Sequence, residues 1–188
     1  TLRLSSAASD VYKRQPLDHL NGSSVFVPYV KKLNLENVIF ASPDAGGTER
    51  VRDYAKYFDC EFVICDKTRE KANEVKSVEV IGEVKDKDVI IVDDLIDTGG
   101  TIAMASNVIM DKGAKSVRAI ITHPVLSGNA EENLENSSLI ELVVTDSIPL
   151  NIRNKKIKVL SIAGLIYKAI RKIHENESTI SLFINRKI

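Results

Sequence analysis

The sequence predicts an α/β domain, a mostly parallel β-sheet flanked by helices. Three observations carry this. Short, almost continuous apolar runs recur, as in "DVIIV" and "SVRAIIT", and strands buried on both faces read that way. Stretches with helical spacing lie between them, such as Val51, Tyr54, Ala55 and Phe58, so the strands are joined by helices. Gly-rich segments follow two of the runs directly, and in such sheets ligands gather at the carboxyl ends of strands.

Taken in order, "NVIFAS" (37–42) reads as a buried strand and "GTERVRDYAKYF" (47–58) as the helix after it. "EFVIC" (61–65) is a second strand, and "VEVIGEV" (78–84) alternates like a hairpin strand crossing a turn at Gly82. "DVIIV" (88–92) is a third core strand, followed by a helix from about residue 101 to 112 that Gly113 ends. Further strands are expected at 116–122, 139–145 and 157–161. The last helix, "SIAGLIYKAIRKIH", carries Ile162, Leu165, Ile166, Ala169, Ile170 and Ile173 on one stripe, which needs an apolar partner surface. Residues 1–15, "TLRLSSAASDVYKRQ", show neither helical nor strand periodicity and no apolar signal core. They are expected to be a leader foreign to the domain or a flexible arm.

A length of 188 residues predicts one domain, or one domain plus a fragment of another. Hydrophobic content of 44% with 28% charged residues supports a sizeable core. Basic and acidic residues number 26 each, so the formal net charge is zero. That balance gives no bulk attraction to nucleic acid or to a membrane surface, and any anion site must be local. Cys60 and Cys65 have no companion CxxC pair and read as reduced core thiols, as a cytosolic setting allows. No apolar run approaches the roughly 18 residues a membrane helix needs.

Three segments carry chemistry. In "VIIVDDLIDTGGT" (89–101) a core strand runs into a double-glycine turn at a helix start. Backbone N–H groups and the helix dipole there suit a phosphate, and Thr98 and Thr101 add hydroxyls. It is neither a Walker A loop nor a GxGxxG turn. The carboxylates of Asp93, Asp94 and Asp97 cannot face a phosphate without repulsion, so they must face hydroxyls or a divalent metal. A sugar phosphate, with a phosphate at one end and vicinal hydroxyls in its middle, meets both demands. Helix capping alone explains Asp97 or Thr101, but not adjacent aspartates and a double glycine.

"SPDAGGTER" (42–50) offers Gly46 and Gly47 for close approach by an anion and Asp44 as a magnesium ligand. Its plain reading is a helix start with a glycine turn. "CDKTREKANEV" (65–75) places Lys67, Arg69 and Lys71 on alternate residues beyond a strand end. It reads as a solvated basic loop, or as a mobile flap closing cations over a polyphosphate, where positioned charge is the main catalytic resource. His123 reads as a satisfied loop or capping histidine, and Ser127 with Gly128 as a turn.

The first segment resembles the phosphoribosyl-pyrophosphate (PRPP) fingerprint shared by phosphoribosyltransferases and ribose-phosphate pyrophosphokinases. "SPDAGG" is similar to the SPDxGG string of the pyrophosphokinases, and "DKTREKAN" to their flexible catalytic loop, usually DKRRPxxN. Thr68 and Glu70 depart from that pattern. "THPVLSGNA" and "NESTISLF" also resemble the family, without assigned roles. The likeness covers nearly all of 16–188. It implies a type I phosphoribosyltransferase-like fold and transfer of a pyrophosphoryl group from Mg-ATP to ribose 5-phosphate, giving PRPP and AMP. Lys67 and Arg69 match the catalytic pair, with Arg69 also at ribose 5-phosphate. Asp93 and Asp97 would sit at the ribose, while Asp97, Thr98, Gly99, Gly100 and Thr101 cradle the 5-phosphate. Asp44, Gly46 and Gly47 would form the ATP-phosphate loop, with Mg2+ on Asp44. Asp93 or Asp94 stands near enough to take the hydroxyl proton, although a metal-bound hydroxyl can ionise without a base.

The resemblance further implies a cytoplasmic homo-oligomer, hexameric at full length. On this reading 16–188 is the carboxyl-terminal portion, and helix 161–176 packs on an amino-terminal domain. That domain carries a magnesium-binding histidine and adenine-binding elements in the family, so little activity is expected of this chain alone. Two alternatives stay open: a salvage or pyrimidine phosphoribosyltransferase consuming PRPP, and a non-catalytic regulator on the same fold.

Overall fold

The computed structural model describes residues 19–71 and 74–182, and within 67–77 the backbone alone. The expectation for 1–15 lies outside the described residues, as do the side chains of Lys67 and Arg69 and the end of "NESTISLF". The chain opens with helix α1 (Ser23–Lys32), followed by β1 (Val38–Ser42), a 3-10 turn (Ala45–Gly47) and α2 (Thr48–Phe58). Strands β2 (Phe62–Lys71) and β3 (Glu74–Ile81) precede β4 (Asp88–Ile96) and α3 (Gly100–Asp111). Then come β5 (Ser116–Pro124), a short α4 (Ala130–Glu135), β6 (Glu141–Thr145) and β7 (Ile157–Leu160). The last elements are α5 (Ala163–His174) and a 3-10 turn (Thr179–Leu182).

The strands form one sheet in the order β3-β2-β1-β4-β5-β6-β7. Only the β2–β3 pair is antiparallel. Alternation along each strand explains the continuous apolar runs. Val89 and Ile91 join Val117, Ala119, Leu142 and Val144 under Ile102, Ala105 and Ile109 of α3. Ile90 and Val92, from the same strand, join Phe40, Ile120 and Val143 under α1 and α2, through Phe26, Val30, Val51 and Tyr54. Both faces are therefore covered, as such a sheet requires.

Strand order positions the site. From β1 the chain steps outward to β2 and β3, then returns to lay β4 on the other side of β1. Helix α2 leaves β1 onto one face and α3 leaves β4 onto the other. The loops after β1 and β4 thus diverge around a switch point, the place where ligands enter open α/β sheets.

Two helices were not legible in the sequence. Pro28 sits inside α1 and interrupts a pattern that otherwise buries Phe26, Val27, Tyr29 and Val30. Helix α4 has six residues, too few to show a period. The segment read as a basic loop is instead a β-hairpin, with Lys67 opposite Val78 and Arg69 opposite Val75. Its charged residues hid a strand signal that their alternate spacing already carried. The strand expected to run from 78 to 84 through a turn at Gly82 instead ends at Ile81; Gly82 takes φ 119°, and a Cβ there would lie 2.6 Å from Val63 Cγ1, so the chain must bend away on a glycine.

Cys65 is buried and Cys60 half-buried, and both are free thiols. Burial pushes the Cys60 thiol up to about 11, which keeps it unreactive. The apolar stripe of α5 is exposed: Ile166, Ile170 and Ile173 face outward with Tyr167, and only Ala169 of the helix is buried. Among the described residues no helix is long and apolar enough to cross a membrane.

Candidate active site at the switch point

Pairing of Ala41 with Ile91 sets the level of the two loops. Two residues further on, β1 has turned into Pro43–Asp44 and β4 has reached Asp93. The first loop is tightly built. Asp44 accepts a hydrogen bond from Gly47 N–H at 3.1 Å, and Ser42 Oγ donates to the Asp44 carbonyl at 2.5 Å. A Cβ on Gly47 would meet Ser42 Oγ at 2.5 Å and Arg50 Nη1 at 3.3 Å. Gly47 is therefore demanded by the packing of the turn, while Gly46 is the exposed glycine.

Arg50, in the first turn of α2, reaches across to β4. Its Nη1 lies 2.8 Å from Asp93 Oδ1 and its Nη2 lies 2.6 Å from Asp94 Oδ2. Asp93 Oδ1 also accepts from the Asp94 N–H at 2.9 Å. Burial pushes the Asp93 carboxyl up to about 6, with the negative charge of Asp94 adding to it. The Asp94 N–H and the Arg50 guanidinium pull the other way.

The second loop is braced from beneath. Gly99 takes φ 74°, the left-handed region that favours glycine, and caps α3. With no acidic residue in its first turn, α3 offers its first amides and the positive end of its dipole to an anion. The segment "VLSGNAEEN" holds the loop. Val125 and Leu126 N–H groups donate to the Ile96 carbonyl at 3.0 and 3.2 Å. Ser127 donates through its backbone N–H to the Asp97 carbonyl at 3.1 Å and through its hydroxyl to Asp97 Oδ1. Asn133 Nδ2 donates to the Thr98 carbonyl at 2.8 Å. Ser127 is thus more than a turn residue. Replacing Ser127 or Asn133 with alanine is expected to weaken phosphate binding about 2- to 10-fold, the worth of one such bond. Titration calorimetry with ribose 5-phosphate checks this, and unchanged affinity would show that the brace serves folding alone.

The hairpin projects over the same end. The β1–β2 ladder stops at Ser42 and Ile64, whereas β2 and β3 stay paired to Lys71 and Glu74. Residues 65–71 therefore run on as a two-stranded arm past the carboxyl end of β1. The backbone of Lys67 and Arg69 lies on it.

Asp44, Gly46, Gly47, Asp93, Asp97, Thr98, Gly99, Gly100 and Thr101 all sit at this one edge of the sheet. Sequence reasoning passed over Arg50, Ser127 and Asn133 as site residues. Arg50 closed the quoted "SPDAGGTER" and lay one helical turn from Gly47; the other two stood in or just beyond a segment noted without a role. His123, expected in a loop or cap, lies instead on strand β5 opposite Leu95. Its Nδ1 lies 2.9 Å from Ser147 Oγ, and that hydroxyl donates to the Thr122 carbonyl. Among the described residues no group of three or more His, Cys, Asp or Glu side chains could hold a metal by itself. The carboxylates present are hard oxygen donors. They fit magnesium, which is commonly held by one or two carboxylates together with substrate phosphates.

Known proteins resemble this chain in sequence and in fold. The family model described as phosphoribosyl synthetase-associated domain matches residues 48–184. A ribose-phosphate pyrophosphokinase of Campylobacter jejuni is 52% identical over 169 residues, 90% of this chain and 55% of that protein. That of Porphyromonas gingivalis is 46% identical, over 89% of this chain and 54% of its own length. The chain thus spans about half the length of the curated relatives it matches. Among solved structures, a phosphoribosylpyrophosphate synthetase from Mycobacterium smegmatis superposes with a TM-score of 0.78 at 34% identity. The overlap covers 86% of this chain and 53% of that one. An adenine phosphoribosyltransferase superposes with a TM-score of 0.50 at 17% identity, over 64% of this chain and 75% of that one, a likeness of fold alone. The sheet and its flanking helices are accordingly of the type I phosphoribosyltransferase-like kind. The chain belongs to the phosphoribosyl synthetase family, that of the ribose-phosphate pyrophosphokinases.

Proposed function

We propose that this chain supplies the ribose-phosphate half of a ribose-phosphate pyrophosphokinase site. The observation that carries this reading is a bridge across the switch point, with Arg50 in the first turn of α2 holding Asp93 and Asp94 near the carboxyl end of β4. The amides and hydroxyls from Asp97 to Thr101 bind the 5-phosphate at the start of α3. Asp93 and Asp97 accept hydrogen bonds from the ribose hydroxyls. Asp44 helps hold magnesium, with Gly46 and Gly47 beside the ATP phosphates. Magnesium, when bound, supplies positive charge to the phosphates and acidity to a coordinated hydroxyl.

In the reaction the C1 hydroxyl oxygen of ribose 5-phosphate bonds to the β-phosphorus of ATP. The bond from that phosphorus to the oxygen bridging toward the α-phosphorus breaks, and AMP leaves with that oxygen. The hydroxyl proton passes to a carboxylate of the Asp93–Asp94 pair or to solvent. Lys67 and Arg69, carried on the hairpin arm, steady the charge moving with the transferred group.

The apolar face of α5 docks on the remaining half of the relatives' length, which also supplies the adenine site. Assembly as a cytoplasmic homo-oligomer belongs to the same reading. AMP release from ATP and ribose 5-phosphate, assayed with and without a supplied segment corresponding to the rest of the relatives' length, tests it. Little turnover is expected from the 188 residues alone, with recovery on adding the other half. Robust turnover alone would refute the half-site reading, and no turnover in the completed protein would refute the activity.

A further inference from the structure

We propose that Arg50 is the positioning residue that turns Asp93 and Asp94 into a reader of vicinal hydroxyls. The inference rests on the ribose-phosphate reading above and identifies what makes its hydroxyl end selective. Side chains of consecutive strand residues point to opposite faces, and two neighbouring carboxylates repel. Left alone, Asp93 and Asp94 would part. One guanidinium instead gathers both, Nη1 to Asp93 at 2.8 Å and Nη2 to Asp94 at 2.6 Å. Each carboxylate turns one oxygen to Arg50, and the two carboxyls lie close enough to interact with each other, so both face the same ligand. Two acceptors held side by side match a cis-diol.

The fork is built into the fold. Arg50 leaves the first turn of α2, just after the turn that Asp44 closes onto Gly47. Its Nη1 packs beside Gly47, 3.3 Å from where a Cβ would stand. The Arg50 side chain is 24% exposed and Asp93 20%, so that arm of the fork is sheltered, while Asp94 at 44% meets solvent. A lysine ammonium is a single point charge and cannot span two carboxylates in this way. Arg50 also ties the start of α2, just after the Asp44 turn, to the end of β4 that leads into the glycine turn.

The test compares two probes on the isotopically labelled chain, following the Gly99 and Gly100 amides by NMR. One is ribose 5-phosphate and the other methyl phosphate, which has the phosphate without the diol. In Arg50→Met, affinity for ribose 5-phosphate is expected to fall about tenfold or more, and that for methyl phosphate less than about twofold. Arg50→Lys should recover only part of the loss. Equal losses for both probes would mark Arg50 as merely structural and overturn the proposal, as would an unchanged preference in Arg50→Met. Should Arg50→Met not fold, an unchanged preference in Arg50→Lys overturns it and a reduced one supports it. A parent chain that shows no preference for ribose 5-phosphate would instead overturn the sugar-phosphate reading, and the proposal with it.

Discussion

Lys67→Ala, in a protein completed to its relatives' full length, is expected to lower kcat for AMP formation about 10²- to 10³-fold. Affinity for ribose 5-phosphate should change less than about threefold, because charge used only in the transition state lowers kcat rather than ground-state binding. The structural basis is the arm. Beyond Ile64 strand β2 has lost its partner β1 and is held by β3 alone, with register shifts flanking Arg69. A two-stranded ribbon is marginally stable on its own, so the arm can approach and leave a ligand lying at the ends of β1 and β4. Steady-state kinetics with ribose 5-phosphate and ATP varied separately gives both quantities. An unchanged kcat would remove Lys67 from the mechanism, and the absence of any turnover in the parent would favour a non-catalytic regulator.

Ribose 5-phosphate binding is expected to strengthen as pH rises through about 6, up to about tenfold per pH unit on the acid side. Burial pushes the Asp93 carboxyl up to about 6, and a hydroxyl donor is best accepted by the ionised form. Below that pH the ligand must first displace a proton. Stability runs the opposite way. The carboxyl lies above its ordinary value of 3.8 in the folded chain, so the fold favours the protonated form. That contribution is complete below about pH 4 and is lost as pH rises through about 6. Asp93→Asn should therefore raise Tm at neutral pH while weakening binding and flattening its pH profile. The ligand phosphate has its own second ionisation near pH 6, so the difference between parent and variant is the diagnostic quantity. Identical profiles in the two would show that Asp93 does not accept from the ligand.

That a neutral-pH ligand site should hold a carboxylate at a cost to stability is the pattern of a functional position. The charges of "VDDLID" invited the question of how three carboxylates could share a phosphate loop. Their separation answers it. Asp93 and Asp94 turn to Arg50, and Asp97 is held by Ser127. On the proposed reading the start of α3 then serves the phosphate.

Much of this was legible in the residues. The strand expected at 37–42 is Val38–Ser42, and the apolar run at 88–92 is the continuously buried stretch of Asp88–Ile96. The helix expected from about 101 to 112 is Gly100–Asp111. These are long or strongly patterned elements whose side chains meet an apolar face at a fixed period. Helix α1 escaped because Pro28 broke its pattern, α4 because it is one and a half turns long, and the arm because its strands carry charge.

The sequence by itself determined the local chemistry: carboxylates at the end of β4, a double glycine before α3, cations on alternate residues of the arm. Tertiary structure alone decided which of these groups meet. Arg50 and Asp93 are 43 residues apart and Ser127 and Asp97 are 30 apart. Such pairs leave no periodic trace in a chain. They form because burying both faces of the sheet places β4 between β1 and β5, under helices packed on opposite sides, and only that order brings the loop ends together.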